Sequence, residues 1–449
     1  MIISQKFFQF NTKKIRHILH LLFLKLLPKI FKGDFLKVIR IFVKTLFFVL
    51  LILNIFVFSS LFYVESSIDD NFKIKSGDNF KIDTVIPITA VYNGSKFSNV
   101  ENRTVGEKFE VDLKVFGIIP ISTAEVEVVD EMQVAVLGVP FGMKIYTSGV
   151  LVSEISQVLT ESGNQCPAKK AGLKVGDYIE SVNGQKVYTN EELSKIVEQS
   201  GGEKLNLVVT RGKGKIRLNL RAVKEKNSSS YKLGIWVKDS SAGIGTLTFY
   251  SPSYNIICGL GHGVCDDESE KLLKIKSGEI VEAEILSVEK GKNGEAGQLN
   301  GKFKFRSMGS ICLNCEQGIY ALFDGNLKYT KLTQVALKRE IKSGKAQIYC
   351  TINGEEPTLY DCHVEIRKSN YNAKTQNMLI TITDKALLEK TGGIVQGMSG
   401  SPILQDGKLI GAVTHVLLED STKGYAIFAE NMLETAQSVA DNKKLKNAS

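Results

Sequence analysis

The chain has 449 residues, with 57 Lys and Arg against 48 Asp and Glu and an ordinary apolar share of 43%. That length allows about three domains with sizeable cores. The net charge of +9 does not indicate a nucleic-acid binder, because residues 1–64 hold ten Lys and Arg and one acid, which leaves the rest formally neutral.

That basic end is also apolar. Thr45–Val64 is a run of twenty residues without a charge, and at about 1.5 Å per residue it matches a bilayer core of about 30 Å. Lys37, Arg40 and Lys44 precede it, while Glu65, Asp69 and Asp70 follow. The positive-inside rule then puts the N-terminus in the cytoplasm and residues 65–449 outside. We read 45–64 as a signal anchor. A cleaved signal peptide is the alternative, for which the basic lead of 1–44 is long. Residues 15–32 form a basic amphipathic segment suited to the inner membrane surface. Residues 65–79 are polar and aperiodic, a juxtamembrane linker open to cutting.

Short β-rich runs punctuated by Pro87, Gly94, Gly106 and Pro120 make 80–135 a small β domain. Residues 136–222 are more specific. The string Pro167-Ala168-Lys169-Lys170-Ala171-Gly172-Leu173-Lys174-Val175-Gly176-Asp177 predicts a short helix, a turn and a strand, and Asn183-Gly184 predicts a hairpin turn. Asn190–Gln199 is an amphipathic helix with Leu193, Ile196 and Val197 on one face. This segment resembles a PDZ domain of the bacterial protease type. The resemblance implies capture of an extended peptide by strand addition, its carboxylate held by loop N–H groups. We place that capture at Phe141, Gly142 and Met143, in the loop before strand Val150–Val152. A PDZ fold used only for packing is the plainer alternative.

Residues 233–440 carry the chemistry. Gly397-Met398-Ser399-Gly400-Ser401-Pro402 sets a serine on a glycine-flanked turn, where backbone can approach a substrate closely. A strand, a turn at Asp406-Gly407 and a second strand to Val416 follow. Serine acyl transfer needs a base near neutral pKa, and His262, between Gly261 and Gly263, is the leading candidate. His363 lies in a hairpin, and His415 reads as a core or supporting residue of the strand after Ser399. Asp384, at the end of strand Leu379–Asp384, fits the orienting acid by chain order and equally fits a helix N-cap before Lys385. Asp266, Asp267, Asp324 and Asp361 are rivals that spacing does not exclude. The seven cysteines include one C-x-x-C, Cys312 and Cys315, without the second pair a zinc site would want. Cys350 and Cys362 flank a turn and could bridge a hairpin. No metal or cofactor is expected.

The combination resembles one family, the stage IV sporulation protein B peptidases of endospore-forming bacteria. It is carried by LGIWVKDSSAGIGTLTFY, GLGHGVCD and TDKALLEKTGGIVQGMSGSPILQDGKLIGAVTHV, and it spans most of 80–434. The resemblance implies a mainly β chain with few helices: a transmembrane helix, a β region, a PDZ domain and a chymotrypsin-like double β-barrel. It implies His262 as base, Asp384 as orienting acid, Ser399 as nucleophile, and the N–H groups of Gly397 and Ser399 as oxyanion hole. By the same likeness the protein cuts itself near the N-terminus, then cleaves the inhibitory membrane subunit of an intramembrane metalloprotease complex in the forespore intermembrane space, releasing a late sigma factor. Its PDZ ligand would be its own N-terminal segment or the substrate. Two other readings are a non-catalytic PDZ tether and a general envelope quality-control protease. The second is disfavoured because the PDZ domain of such enzymes follows the protease domain.

Overall fold

The computed structural model describes residues 34–67, 71–82, 86–100, 103–212, 214–228, 230–266, 271–292, 294–325 and 331–448. The amphipathic segment 15–32 and part of the linker, 68–70, lie outside them. The chain divides into two compact units, one of residues 1–72 and 77–128, the other of residues 73–76 and 129–449.

The first unit contains the helix Asp34–Ser67. Its polar side chains bond back onto their own helix: Thr45 Oγ1 donates to Ile41 O at 2.9 Å and Asn54 Nδ2 to Leu50 O at 2.7 Å. The stretch 45–64, where a transmembrane span is expected, is helical, and among the described residues no helix is long and apolar enough to cross a membrane. The unit also contains antiparallel strands Ile88–Tyr92, Lys108–Val115 and Ile119–Val129. Phe97, Tyr92 and Phe109 cluster on one side of them, with the Arg103 guanidinium 3.6 Å from the Phe109 ring centroid.

The second unit is built on two barrels. In the first, Pro140–Ile155 pairs with Ile275–Glu289, which pairs with Gln298–Cys315, then Gly318–Phe323, Ile256–Gly259 and Ile235–Ser251. Ile235–Ser251 pairs back onto Pro140–Ile155 and closes the ring. Phe141, Ile145, Leu247, Ile257 and Ile280 fill it. The second barrel is also closed, in the order Gly344–Cys350, Thr358–Ile366, Met378–Ile382, Asp420–Phe428, Lys408–Leu417, Pro402–Gln405. Its turn at Asp406 and Gly407 has φ of 51° and 77°, the left-handed pair that joins Pro402–Gln405 tightly to Lys408–Leu417. Cys350 and Cys362 lie in its core as free thiols. They are not opposite one another, since Ala346 pairs with Cys362 and Cys350 with Thr358, and burial pushes the Cys362 thiol up to about 12.

The segment resembling a PDZ domain is inserted in the first barrel. Strands Gly214–Arg221, Lys204–Arg211 and Tyr178–Val182 form its sheet, completed by Val150 and Leu151 of Pro140–Ile155. One strand thus serves the barrel at its start and the inserted sheet at its end, where the sequence assigned all of it to residues 136–222. This corrects the peptide-capture site. Phe141, Gly142 and Met143 are strand residues rather than a loop, Phe141 and Met143 are 0% and 6% exposed, and a Cβ on Gly142 would stand 2.5 Å from the Phe303 ring.

Helix Asn190–Gln199 begins on a capping box, Thr189 accepting from Glu192 N while Glu192 accepts from Thr189 N. The sheet end is tied by Asp177, 1% exposed, which accepts from Arg211 Nε and Nη2 at 2.7 Å each and from Lys174 N at 2.9 Å. Breaking such a pair leaves a buried charge uncompensated. Arg211→Ala is therefore expected to destabilise the inserted domain by about 3 kcal/mol or more, read as a lowered denaturant midpoint. Asp177→Asn/Arg211→Gln together should cost less than Arg211→Ala alone.

Candidate active site

Two turns meet where the barrels adjoin. The first follows strand Ile256–Gly259. Leu260 and Gly261 both have φ of 66°, a reversal that presents His262. A Cβ on Gly261 would stand 3.1 Å from both Thr414 Cγ2 and Ile427 Cγ2 of the second barrel. The second turn, Gly397–Ser401, precedes strand Pro402–Gln405. It is held by the first barrel: Thr246 N donates to Ser399 O at 2.9 Å, Thr246 Oγ1 to Gly397 O at 2.8 Å and Thr248 Oγ1 to Gly400 O at 2.7 Å. Gly400 has φ of 95°, and a Cβ there would meet Thr246 O at 2.0 Å and Leu260 N at 2.4 Å. Ser399 and His262 therefore lie on turns that touch the same backbone.

The half-buried Ser399 Oγ donates to Thr414 O at 2.7 Å. Around it the amides divide into two sets. Those of Gln396, Met398, Gly400 and Ser401 donate to Gly297 O, Val395 O, Val413 O and Met398 O. Those of Gly397 and Ser399 donate to no acceptor among the described residues.

His262 Nδ1 lies 2.9 Å from Gly263 O. A carbonyl only accepts, so Nδ1 carries the proton and Nε2 keeps a lone pair. Burial holds the imidazole below its ordinary value, and the Gly263 carbonyl opposes this. The ring centroid of His415 is 4.6 Å from that of His262, with the rings tilted by 38°.

Asp384 makes its hydrogen bonds to main-chain amides. It N-caps helix Lys385–Thr391, Oδ1 accepting from Leu387 N at 3.0 Å and Oδ2 from Asp361 N at 3.4 Å. Among the described residues no carboxylate bonds to His262. Asp266 is buried and pairs with Lys238 at 3.6 Å. Asp361 accepts from Gln347 Nε2 at 3.1 Å, Asp324 sits in the turn after Gly318–Phe323, and Asp267 lies outside the described residues. His363 pairs with Lys345 and Thr381 inside the second barrel's ladder. Among the described residues no group of side chains is suited to hold a metal ion.

The inserted domain offers a second feature. Ile235, Trp236 and Val237 pair with Ile155, Glu154 and Val152 on one edge, and no strand covers their other edge among the described residues. Helix Asn190–Gln199 stands beside that edge: Ile196 joins Ile235 and Val237 in one apolar cluster, and Asn190 N donates to Asp239 Oδ2 at 2.8 Å. Gly234, φ 77°, turns the chain into the strand. Sequence reasoning missed this edge, although Leu233-Gly234-Ile235 carried its signal, a glycine between apolar residues opening a strand. Thr246 offered no signal beyond strand alternation.

Comparison with known proteins follows this layout. Residues 229–433 match the family model SpoIVB peptidase S55, and residues 158–211 match that of a PDZ domain. Among solved structures the chain is similar to the PDZ domain of an SdrC-like protein from Listeria monocytogenes, at 18% identity over 20% of this chain and 90% of that one, with a TM-score of 0.17. No curated protein matches. Residues 229–433 thus match the SpoIVB S55 family, a family of serine peptidases, and residues 158–211 match a PDZ domain.

Proposed function

We propose that the protein is a serine endopeptidase in which Ser399 is the nucleophile, His262 the general base and the N–H groups of Gly397 and Ser399 the oxyanion hole. The observation that carries this reading is the pair of unengaged amides flanking Ser399, on a turn fixed by Thr246 beside the His262 loop. Attack requires Ser399 Oγ to exchange Thr414 O for His262 Nε2, a rotation about χ1. Oγ then adds to the scissile carbonyl as its proton passes to Nε2. The negative oxygen takes the two amides, and His262 returns the proton to the leaving amine. The Gly263 carbonyl fixes the tautomer this needs. Asp384, the acid by chain order, serves here as the cap of the helix leading into the Ser399 segment.

The two barrels with the site at their seam support a chymotrypsin-like arrangement. The substrate enters as an extended strand, and the PDZ domain takes a peptide along Ile235–Val237 beside helix Asn190–Gln199. The charge asymmetry about 45–64 supports an N-terminal anchor with the peptidase outside the cytoplasm. The family resemblance supports a sporulation role: self-cleavage within 65–79, then cleavage of a regulatory membrane protein that restrains an intramembrane metalloprotease, leading to a late sigma factor.

The full chain in detergent, wild type beside Ser399→Ala, is expected to lose its N-terminal segment only in the wild type, read by intact mass. Two folded, uncut proteins would favour the non-catalytic tether. Because burial depresses the His262 pKa, the active neutral base persists below the ordinary value of about 6.5. The rate of labelling by a serine-reactive phosphonate should hold down to that range and fall only as pH drops further. Thr246→Val, which removes one hydroxyl donor at nearly constant volume, should cost about 1 kcal/mol of stability and slow labelling about tenfold through a loosened oxyanion turn.

A further inference from the structure

The hairpin between strands Lys108–Val115 and Ile119–Val129 shows solvent a run that a soluble domain would hide. Phe116, Gly117, Ile118, Ile119 and Pro120 follow one another, all exposed, with Phe116, Ile118 and Ile119 open to 64%, 79% and 44%. A run of exposed apolar residues is a fault unless something uses it. The turn is well defined. Ile118 N donates to Val115 O at 3.1 Å and Phe116 N to Pro87 O at 2.9 Å. Phe116 and Gly117 take φ of 52° and 73°, the left-handed pair of a tight hairpin. Asparagine or aspartate suits the first of these positions, and a bulky residue is strained there. The chain thus keeps a phenylalanine in solvent at the tip against local preference. No acid lies between Leu113 and Thr123, where Lys114 is the one charge.

We propose that this hairpin tip, Phe116 to Ile119, inserts into the lipid surface of the membrane that 45–64 anchors, a second attachment that fixes how the small β domain stands on it. The proposal rests on the reading of 45–64 as an anchor. The argument for lipid is reach. Helix Asp34–Ser67 ends four residues before strand Asn71–Lys75 begins, and four steps of chain span at most about 14 Å. Phe72 stacks on Phe80, Phe80 on Phe97 and Phe97 on Phe109. The chain leaving the helix therefore joins the sheet beside Lys108–Val115, the strand that ends in the tip. From Phe109 to Val115 is about 20 Å, so the tether holds the domain close enough for its tip to touch the bilayer. Size points the same way. Three side chains fall well short of the about 800 Å² per partner that a stable protein complex buries. An apolar tip with one cation and no acid suits the interface of an anionic bilayer, where a second weak attachment adds to a first.

The chain's one tryptophan, Trp236, lets the tip be watched alone. On the full chain carrying Trp236→Phe, and Ser399→Ala to guard the N-terminus against self-cleavage, a single tryptophan is restored as Ile118→Trp, as Phe116→Trp or as Val105→Trp. Val105 is 55% exposed, in the turn that precedes Lys108–Val115, and so stands about 25 Å or more from the tip. Each chain is reconstituted in vesicles of phosphatidylcholine and phosphatidylglycerol, with and without bromine on the acyl chains, and its emission is read in both. We expect Ile118→Trp and Phe116→Trp to lose most of their emission to the bromines and Val105→Trp to keep it. Either tip reporter decides the matter should the other not fold. Emission kept at the tip overturns the proposal, as does an equal loss at Val105 and at the tip. A tip emission shifted to the blue yet unquenched overturns it in favour of a protein surface. An alkaline carbonate wash separates this reading from the one beneath it. In chain that stays with the vesicles the anchor stands, and an unquenched tip there counts against the tip alone. Chain that washes off overturns the anchor reading and the proposal with it.

Discussion

One backbone amide and one hydroxyl, both of Thr246, hold the turn that carries Ser399, the proposed nucleophile. Ser399 belongs to the second barrel by sequence and Thr246 to the first, so the site exists only while the barrels stay in register. The seam is made tight by removing side chains from it. Gly400 passes so close to Thr246 O and Leu260 N that a methyl group would overlap both. Gly261 takes a left-handed turn against Thr414 and Ile427. Carbonyl oxygens point into hydrogen bonds and two amides are left over. A short loop with more donors than acceptors binds a developing anion because nothing else satisfies it.

The electrostatics of the site are those of neutral groups. Burial depresses both histidines, and no carboxylate bonds to His262 among the described residues. A carboxylate under the base would stabilise the imidazolium directly. Desolvation favours the neutral form of the His262 imidazole, and a main-chain carbonyl sets its tautomer. The charges nearby are spent on structure: Asp266 on Lys238, and Asp384 on the start of helix Lys385–Thr391.

What could be read in the sequence was local. The serine turn, the glycine-flanked histidine and the string from Pro167 to Asp177 each specify their geometry within a few residues, and each folds as expected. What could not be read was pairing across distance. Phe141-Gly142-Met143 has the composition of a peptide-capturing loop, but pairing of Gly142 with Ile244 on one side and Val281 on the other makes it a barrel strand, buried throughout. Asp384 satisfied both chain order and the N-cap pattern, and the cap is the contact seen, to Leu387 N. His415 looked like any polar residue on an amphipathic strand, and only the placement of the His262 loop gives it a neighbour.

The insertion of the PDZ domain bears on how the molecule comes to exist. The first barrel needs Pro140–Ile155 beside Ile235–Ser251, and residues 156–234 intervene. Closing a flexible loop of that length costs about 4 kcal/mol in chain entropy. A domain that folds within it draws its two ends together, so the folded insert acts as a clasp for the barrel around it. The stretch matching the peptidase family, residues 229–433, is therefore not a self-sufficient body. Cut out alone, it would lack the strand that closes its first barrel and would carry two open sheet edges, on Ile235–Ser251 and Ile275–Glu289, where chains aggregate.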